Sequence, residues 1–310
     1  MDQGTERAMQ DSNGMDDGWI DPPALSAFAA AYPARAVGLA HRLTNHPLLR
    51  LDALAALAGR LPDDHVEHSL GNLAVDQDPD AIARIAAHPA DIVRTIADNG
   101  CWMVMKKIDC DPAYTALVDT ILAQLAPVTL PATGRHQRRE AFLFLSAPDA
   151  VTPFHMDPEH NILFQIAGTK TMRLYPADDP AIVSAEQHEA FHRGGRHRNM
   201  RFDPAFDAQA ETFMMAAGDA VYVPVKAPHW VQNGPTPSIS LSITWRSDAS
   251  DRAARLHRVN HRLRTLGVTP SPTGAAPHRD AAKIACHRAV KALSGAARRA
   301  VGRRRDRVAY

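Results

Sequence analysis

Cysteine is scarce in this chain. Three cysteines occur in 310 residues, no two of them form a Cys-x-x-Cys pair, and their spacing has no regular pattern. A disulfide framework of the kind that holds small secreted domains together is therefore not expected. The pattern is typical of a protein of the reducing cytoplasm, where we expect this chain to reside. We assign no function to the three thiols, which belong to Cys101, Cys110 and Cys286.

Long apolar runs are lacking as well. No stretch approaches the roughly 18 apolar residues that a membrane-spanning helix requires. The first eighteen residues are neither basic nor followed by the apolar core of a signal peptide, so we expect residues 1–18 to be a disordered tail. With 45% apolar residues, the remainder is expected to form a soluble fold with a sizeable core and no membrane contact.

The net charge of +1 conceals a strong asymmetry. Residues 251–310 contain 15 Lys and Arg against three Asp and Glu, whereas residues 1–250 contain 20 against 31. We predict a basic helical C-terminal extension over 251–310, with helices at 251–266 and 280–300 joined by a linker at 270–277. Three interpretations stay open for this extension: a solvated tail, a homodimer contact, or a surface that attracts nucleic acid through its charge.

Residues 19–139 have the patterns of a mostly helical region. Asp21-Pro22-Pro23 is a typical helix start, and residues 101–108 are predicted to form a strand that joins a sheet. We expect the histidines of this region on helix surfaces or in loops rather than on a metal. Further helices are predicted over 51–61, which is rich in Leu and Ala, over 80–87 and 90–99, and over 111–125, which has an apolar stripe.

A candidate metal-binding pair lies near the start of the predicted core, which begins at about residue 140. After an apolar strand at 141–146 and a turn at 147–150, His155 and Asp157 stand two positions apart. On an extended strand that spacing puts both side chains on one face, where an imidazole and a carboxylate can reach a single metal ion. His278 and Asp280 repeat the spacing, but only the first pair is followed at once by an apolar strand.

Alternating residues over 161–166 predict the wall of a barrel with a polar interior. A second alternating strand is predicted over 238–245. Between the two, residues 176–212 are poor in regular pattern and contain a basic, glycine-containing loop at 192–201, which we expect near the entrance of the site. Prolines at positions 153 and 158 are typical of an edge strand or a barrel mouth.

The best candidate for a third ligand is His229. It follows a strand of high β-propensity at 220–223 and a bend at 224–228. Two histidines and one carboxylate on one face of a metal leave the opposite positions open for a cosubstrate and oxygen, which is typical of non-heme Fe(II) oxygenases. The alternatives to His229 lack a strand that would hold the imidazole rigidly; they are His188, His192 and His197.

These motifs resemble the double-stranded β-helix core of the cupin-like and JmjC-domain Fe(II)/2-oxoglutarate-dependent oxygenases. The chain is most similar to the branch that contains the asparaginyl hydroxylase called factor inhibiting HIF. In that branch a Thr precedes the first metal His by three residues, an Asn follows it by six and a Lys by fifteen. The residues at those positions here are Thr152, Asn161 and Lys170.

The implied fold is mainly β with α additions. A jelly-roll core of the double-stranded β-helix type is expected over 140–250, with the helical region at 19–139 packing on it. The resemblance also implies Fe(II) as the metal, held by His155, Asp157 and His229, with no catalytic residue beyond these ligands.

The resemblance further implies a site for 2-oxoglutarate. Lys170 would pair with its distal carboxylate, Thr152 would hydrogen-bond the same group, and Asn161 would lie close to the bound cosubstrate. An ammonium and a hydroxyl are what a buried carboxylate requires. Arg246 is an alternative partner, because other branches use an Arg after the distal histidine. The family's polar residue on the last core strand has three equivalent candidates, Ser240, Ser242 and Thr244.

The implied activity is that of a dioxygenase, a hydroxylase of a peptide or protein side chain that converts 2-oxoglutarate to succinate. RNA and small metabolites remain open as substrates, because similar folds accept them. One alternative is a metal-dependent cupin enzyme that does not use 2-oxoglutarate. Another is a noncatalytic JmjC-like regulator that binds nucleic acid through residues 251–310. The intact ligand triad favours the oxygenase.

Overall fold

The computed structural model describes residues 18–76, 86–194 and 200–289. Several predictions fall wholly or partly outside those ranges: the N-terminal tail, the helix at 80–87, the middle of the loop at 192–201, and the basic end after residue 289. The chain forms two compact units. Of the described residues, the first unit comprises 18–76, 86–178 and 200–248, and the second comprises 179–194 and 249–289.

The first unit is built on two antiparallel β-sheets. In chain order the described strands are β1 (Val37–Ala40), β2 (Val66–Leu70), β3 (Cys101–Met105), β4 (His136–Ser146), β5 (Val151–His155), β6 (His160–Ala167), β7 (Lys170–Leu174), β8 (Glu211–Met215), β9 (Asp219–Val223), β10 (His229–Asn233) and β11 (Ser238–Ser247). The larger sheet has the order β1-β9-β6-β11-β4-β3-β2 and the smaller one β5-β10-β7-β8. Because strands distant in sequence are neighbours, this is jelly-roll connectivity. The predicted fold class is confirmed.

The side chains on the two faces of β6 pack into two different hydrophobic clusters. Ile162 and Phe164 belong to the main core cluster, which fills the space between the large sheet and the helices. Leu163 faces the other way, into a second cluster between the sheets that includes Met172 and Val231. The alternation predicted from the sequence is therefore confirmed, and we call the side that carries Leu163 the inner face.

Helices are not the only regular structure between residues 19 and 139. Strands β1 and β2 extend the two edges of the large sheet, in addition to the predicted strand β3. These two strands are only four and five residues long, and β2 contains Glu67, His68 and Ser69, so neither shows a strong apolar alternation. The helices of this region are α1 (Pro22–Ala31), α2 (Leu51–Ala58), α3 (Pro89–Arg94) and α4 (Pro112–Thr133).

Helix α4 is longer than predicted. Its predicted apolar stripe, which ends at Leu125, is buried in the main core, but the helix continues through Pro127 and Pro131 to Thr133. Each proline removes one ladder hydrogen bond, and Thr129 and Thr133, beside these prolines, are buried. Contrary to expectation, α4 is long and apolar enough to cross a membrane by length and composition alone, a test that core helices also pass.

The second unit contains a helix that the sequence analysis missed. Helix α5 (Ala185–Arg193) begins with a capping box in which Ser184 accepts from the backbone of Gln187 and the Gln187 side chain accepts from that of Ser184. This Ser-x-x-Gln pattern is a helix-start signal, so residues 176–212 are more regular than predicted. Helix α6 (Asp248–Thr265) enters the unit from β11, and its Arg264 donates two hydrogen bonds to the buried Glu189. Residues 277–289 are also helical.

The turn between β6 and β7 depends on a glycine. Gly168 has a φ of +73°, and a Cβ at this position would lie 2.3 Å from the carbonyl oxygen of Pro237. Gly168→Ala should therefore lower the free energy of unfolding by at least about 2 kcal/mol, because left-handed strain and a backbone clash add together. Urea denaturation measures this loss.

Gly100→Ala is the matched control. Gly100 also has a positive φ, +62°, but apart from its two chain neighbours no described residue lies within 4 Å of the added methyl group. Its expected cost is the strain alone, about 1 kcal/mol. Equal losses for the two variants would contradict the importance of the close approach at Gly168.

Candidate metal centre

Two histidines face each other across neighbouring strands. In the antiparallel pair of β10 and β5, His229 lies directly opposite His155. Residues opposite each other in such a pair project from the same side of the sheet, and the two imidazole ring centroids are 4.2 Å apart. The small sheet therefore brings together two histidines that are 74 positions apart in the sequence.

Hydrogen bonds to the backbone orient both imidazoles. The Nδ1 atom of His155 is 2.7 Å from the carbonyl oxygen of Pro153, and that of His229 is 2.9 Å from the carbonyl oxygen of Ala227. Since a carbonyl only accepts, each Nδ1 carries the proton and each Nε2 keeps its lone pair. Both Nε2 atoms are thereby prepared to bind a metal ion.

Asp157 completes the group, although it does not lie on a strand. Its Oδ2 atom is 3.7 Å from Nε2 of His155 and 3.8 Å from Nε2 of His229. The ligand atoms of the three residues all lie within 4.8 Å of one another. Strand β5 ends at His155, so the predicted placement of both side chains on one extended strand is wrong. The loop after β5 carries the carboxylate instead, and the backbone N–H of Lys226 donates to the carbonyl of Asp157 at 2.8 Å.

The donor set fits a non-heme iron site. Two imidazole nitrogens and one carboxylate oxygen grouped on one side are the facial arrangement that Fe(II) oxygenases use, and the same ligands also bind other first-row divalent metals. Of the described residues, no other His, Cys, Asp and Glu side chains form such a group. His188 and His192, the alternatives to His229 that the structure describes, are not part of it; His197 lies outside the described residues.

A β-bulge turns Thr152 toward the same side as His155. Val231, two residues after His229 on β10, lies opposite Thr152, which is three residues before His155 on β5. The additional residue, in the segment of Pro153 and Phe154, is a bulge; without it Thr152 and His155 would face opposite sides of the strand. Because β5 is an edge strand, Pro153 occupies an edge position as predicted.

Polar side chains on the inner faces of β6 and β11 hydrogen-bond one another. Ser242 donates to Oδ1 of Asn161 at 2.8 Å, and Ser240 donates to Oε1 of Gln165 at 2.7 Å. The hydroxyl of Thr244 donates instead to a backbone carbonyl, at Glu140. Of the three equivalent candidates, Ser242 is thus the one that contacts Asn161, and it leaves the amide N–H groups of Asn161 available as donors.

Lys170 lies at the far end of the barrel from the metal ligands. It pairs with Asn233 at one end of β7, whereas Leu174 pairs with His229 at the other, roughly 13 Å along the strand at about 3.3 Å per residue. Lys170 is 6% exposed, and burial lowers the pKa of its ammonium to about 7. No described residue gives that ammonium a hydrogen bond or an ion pair, and Oδ1 of Asn233 also has no partner within the described part. An anionic ligand would satisfy the ammonium, whereas the amide oxygen of Asn233 is an acceptor and requires a donor.

Arg246, the alternative to Lys170, already has a carboxylate partner. Its Nε and Nη2 atoms donate to the same oxygen of Glu159 at 3.0 and 2.8 Å. Burial raises the pKa of Glu159 to about 7 despite this contact, and the nearby charge of Asp157 acts in the same direction. The sequence analysis did not identify Glu159, because nothing in the chain signals that residues 87 positions apart form an ion pair.

Part of the chain is similar in sequence to known proteins. It is 28% identical over 113 residues to the lysine-specific demethylase JMJ30 of Arabidopsis thaliana and 29% identical over 107 residues to the Jumonji C domain-containing protein 5 of Drosophila melanogaster. The first match covers 34% of this chain and 25% of the relative, the second 33% and 26%. The chain thus spans about a quarter of the length of these relatives.

Two solved structures resemble the chain at lower sequence identity than these relatives. The X-ray structure of E. coli ycfD aligns with a TM-score of 0.47 and 15% identity over 84% of this chain and 65% of that one. An oxalate decarboxylase from Bacillus subtilis aligns with a TM-score of 0.25 and 23% identity over 36% of this chain and 22% of that one. The model of the cupin-like domain matches residues 90–251, just over half of the chain and all of the metal centre. The chain belongs to the cupin-like domain family, as its sequence motifs predict.

Proposed function

We propose that this protein is an Fe(II)- and 2-oxoglutarate-dependent oxygenase that hydroxylates a peptide or protein side chain. One combination carries the proposal: a group of two histidines and one aspartate at one end of the barrel, and a buried lysine without a partner among the described residues at the other. The metal group alone would suit many cupin enzymes. The buried lysine adds a requirement for an anionic ligand between the two ends.

His155, Asp157 and His229 would hold the metal through two Nε2 atoms and a carboxylate oxygen. When bound there, Fe(II) supplies the activation of dioxygen that couples decarboxylation of 2-oxoglutarate, giving succinate and carbon dioxide, to hydroxylation of a substrate C–H bond. The protein's own contribution is to hold these ligands in fixed tautomers and to exclude water from the inner cluster of apolar side chains.

The polar residues of the inner face would orient 2-oxoglutarate. The ammonium of Lys170 pairs with the distal carboxylate, and the hydroxyl of Thr152, turned inward by the bulge, donates to the same group. Asn161 donates through the amide N–H groups that its contact with Ser242 leaves available. Arg246 is a less suitable partner, because Glu159 already occupies two of its donors.

A protein substrate is supported by the relatives rather than by the geometry. The relative from Arabidopsis thaliana carries the name lysine-specific demethylase, which denotes action on an amino-acid side chain. The placement in the branch of factor inhibiting HIF, and with it hydroxylation as the outcome, stays a prediction from the spacing of Thr152, Asn161 and Lys170.

Metal-dependent succinate formation tests the oxygenase class without knowledge of the substrate. The protein is loaded anaerobically with Fe(II) and 2-oxoglutarate, and succinate is measured after oxygen is admitted. We expect slow uncoupled turnover that His155→Ala abolishes. Tight metal binding with no binding of 2-oxoglutarate would favour a cupin enzyme of different chemistry, and the absence of both would contradict the proposal.

Asp157→Ala should abolish tight metal binding and leave the fold intact. The change removes the only anionic ligand of the three, and its partly exposed position makes the loss of packing small. Calorimetric titration with Mn(II) measures the affinity, and circular dichroism checks the fold. Asp98→Ala, at an exposed aspartate, is the control and should bind normally. Wild-type affinity in Asp157→Ala would contradict the assignment of the ligand.

Binding of 2-oxoglutarate should take up a proton above pH 7. Without ligand the pKa of Lys170 is lowered to about 7, so at pH 8 the amine is mostly neutral. A bound carboxylate favours the charged form and raises this pKa. Protonation must then accompany binding, and the affinity should fall as the pH rises above 7. Calorimetry at pH 8 in buffers of different ionisation enthalpy counts the protons.

Lys170→Met and a shortened ligand are the controls for proton uptake. The variant should bind 2-oxoglutarate about 10- to 100-fold more weakly, the usual effect of losing a hydrogen bond to a charged group, and without uptake. A 2-oxo acid that lacks the distal carboxylate should take up no proton with the wild-type protein. Binding of 2-oxoglutarate to the wild type without uptake at pH 8 would contradict the role of Lys170.

A further inference from the structure

The three candidate ligands are held by different means. His155 and His229 stand on paired strands, and each imidazole is hydrogen-bonded to the backbone of its own segment. Asp157 lies in the loop between β5 and β6, residues 156–159, where no strand pairing fixes the backbone. A carboxylate on a loop of this kind requires another restraint if it is to stay beside the two imidazoles.

Two contacts of the described residues tie the loop to neighbouring segments. One is the hydrogen bond from the backbone N–H of Lys226 to the carbonyl of Asp157. The other is the ion pair between Glu159, the last residue of the loop, and Arg246 on β11. The side chains of this pair are 22% and 23% exposed, so the contact is partly shielded from solvent and stronger than an ordinary surface pair.

Strand alternation directs Arg246 toward the site. Ser240, Ser242 and Thr244 face the barrel interior, and Arg246 is the next residue in the same alternation on β11. The partner strand β4 contains a bulge at this point, since Thr244 lies opposite Glu140 but Arg246 lies opposite Gln137. Arg246 thereby continues the inward row at the metal end of the barrel, where the loop ends in Glu159.

We infer that Arg246 is a positioning residue for the candidate metal ligand Asp157. Through its two hydrogen bonds to Glu159, the guanidinium fixes the end of the loop at 156–159 and keeps the Asp157 carboxylate beside the two imidazoles. This inference rests on the proposed metal site. It gives Arg246 a role separate from binding of 2-oxoglutarate, whose distal carboxylate is assigned to Lys170 and Thr152.

Replacement of Arg246 by a neutral residue has two opposing effects on the affinity for a divalent cation, one electrostatic and one through the position of the loop. Removal of a positive charge near the site should by itself favour the binding of a divalent cation. Removal of the loop's restraint should disfavour it, because Glu159 would lose both hydrogen bonds from Arg246 and the end of the loop could then move away from the two imidazoles. The Glu159 side chain would move toward solvent and displace the neighbouring residues of the loop.

The experiment measures the affinity of the full-length protein for Mn(II) alone by calorimetry at pH 7, in Arg246→Gln and Arg246→Lys. We expect Arg246→Gln to bind about 10- to 100-fold more weakly than wild type, the usual effect of losing a group that orients a metal ligand. Arg246→Lys keeps the charge but loses the two-nitrogen contact, so its affinity should be intermediate. The absorption spectrum of bound Co(II) should change in both variants, since it reports the geometry of the ligands.

Arg60→Gln is the matched control. Arg60 donates two hydrogen bonds to a single oxygen of Asp111 in the same geometry, on elements that carry no candidate ligand. It should leave Mn(II) affinity and the Co(II) spectrum unchanged. Equal or tighter Mn(II) binding by Arg246→Gln, or wild-type affinity and spectrum in Arg246→Lys, would overturn the inference while leaving the metal site in place. Failure of the wild-type protein to bind Mn(II) would overturn the metal site itself.

Discussion

The register between β5 and β10 is the constraint on which the candidate site depends. It places His155 opposite His229. The bulge in β5 between Thr152 and His155 brings Thr152 opposite Val231 and so to the same side of the sheet as His155. A shift of one residue in this pairing would turn every side chain of β5 to the opposite face. The bulge therefore reconciles two requirements that a regular strand cannot meet together, a histidine and a threonine three residues apart on one face.

Burial of polar groups inside the barrel is compatible with stability because most of them bond to each other. Asn161 and Gln165 each accept a hydrogen bond from a serine of β11, so their desolvation is largely offset. Lys170 differs, because burial disfavours its charged form and no described residue compensates. The end of the barrel that carries Lys170 is thus where the proposed anionic ligand would bind.

Much of this arrangement could be predicted from the sequence, because it depends on local alternation. The polar and apolar faces of β6 follow from residues 161–166, and the position of His229 follows from the strand and bend before it. Helix α5 could also have been predicted, since its capping box at Ser184 is a local signal. The placement of Asp157 after the end of β5 could not, because a strand and an extended loop have the same residue pattern at that point.

The side-chain and backbone contacts that could not be predicted join segments that are distant in the sequence. The sequence leaves Arg246 as an alternative to Lys170 for binding the 2-oxoglutarate carboxylate, because a guanidinium can pair with any carboxylate. Only the fold identifies the carboxylate that Arg246 contacts, which is that of Glu159. Glu159 has no distinguishing pattern of its own, and its role appears only once β11 lies beside β6. The backbone hydrogen bond of Lys226 to Asp157 likewise joins segments that only the fold brings together.

The candidate histidine ligands are oriented by the backbone, whereas the loop of Asp157 is restrained by a side-chain contact, so the two kinds of ligand respond differently to substitution. Two imidazoles are oriented by backbone carbonyls, which no side-chain substitution removes. In the role inferred for Arg246, the carboxylate is oriented in part by a side-chain ion pair, which a single substitution at either partner would alter. Metal affinity would then change through Glu159 and Arg246 without any change of ligand. The histidine pair would keep its geometry throughout, because the backbone of β5 and β10 determines it.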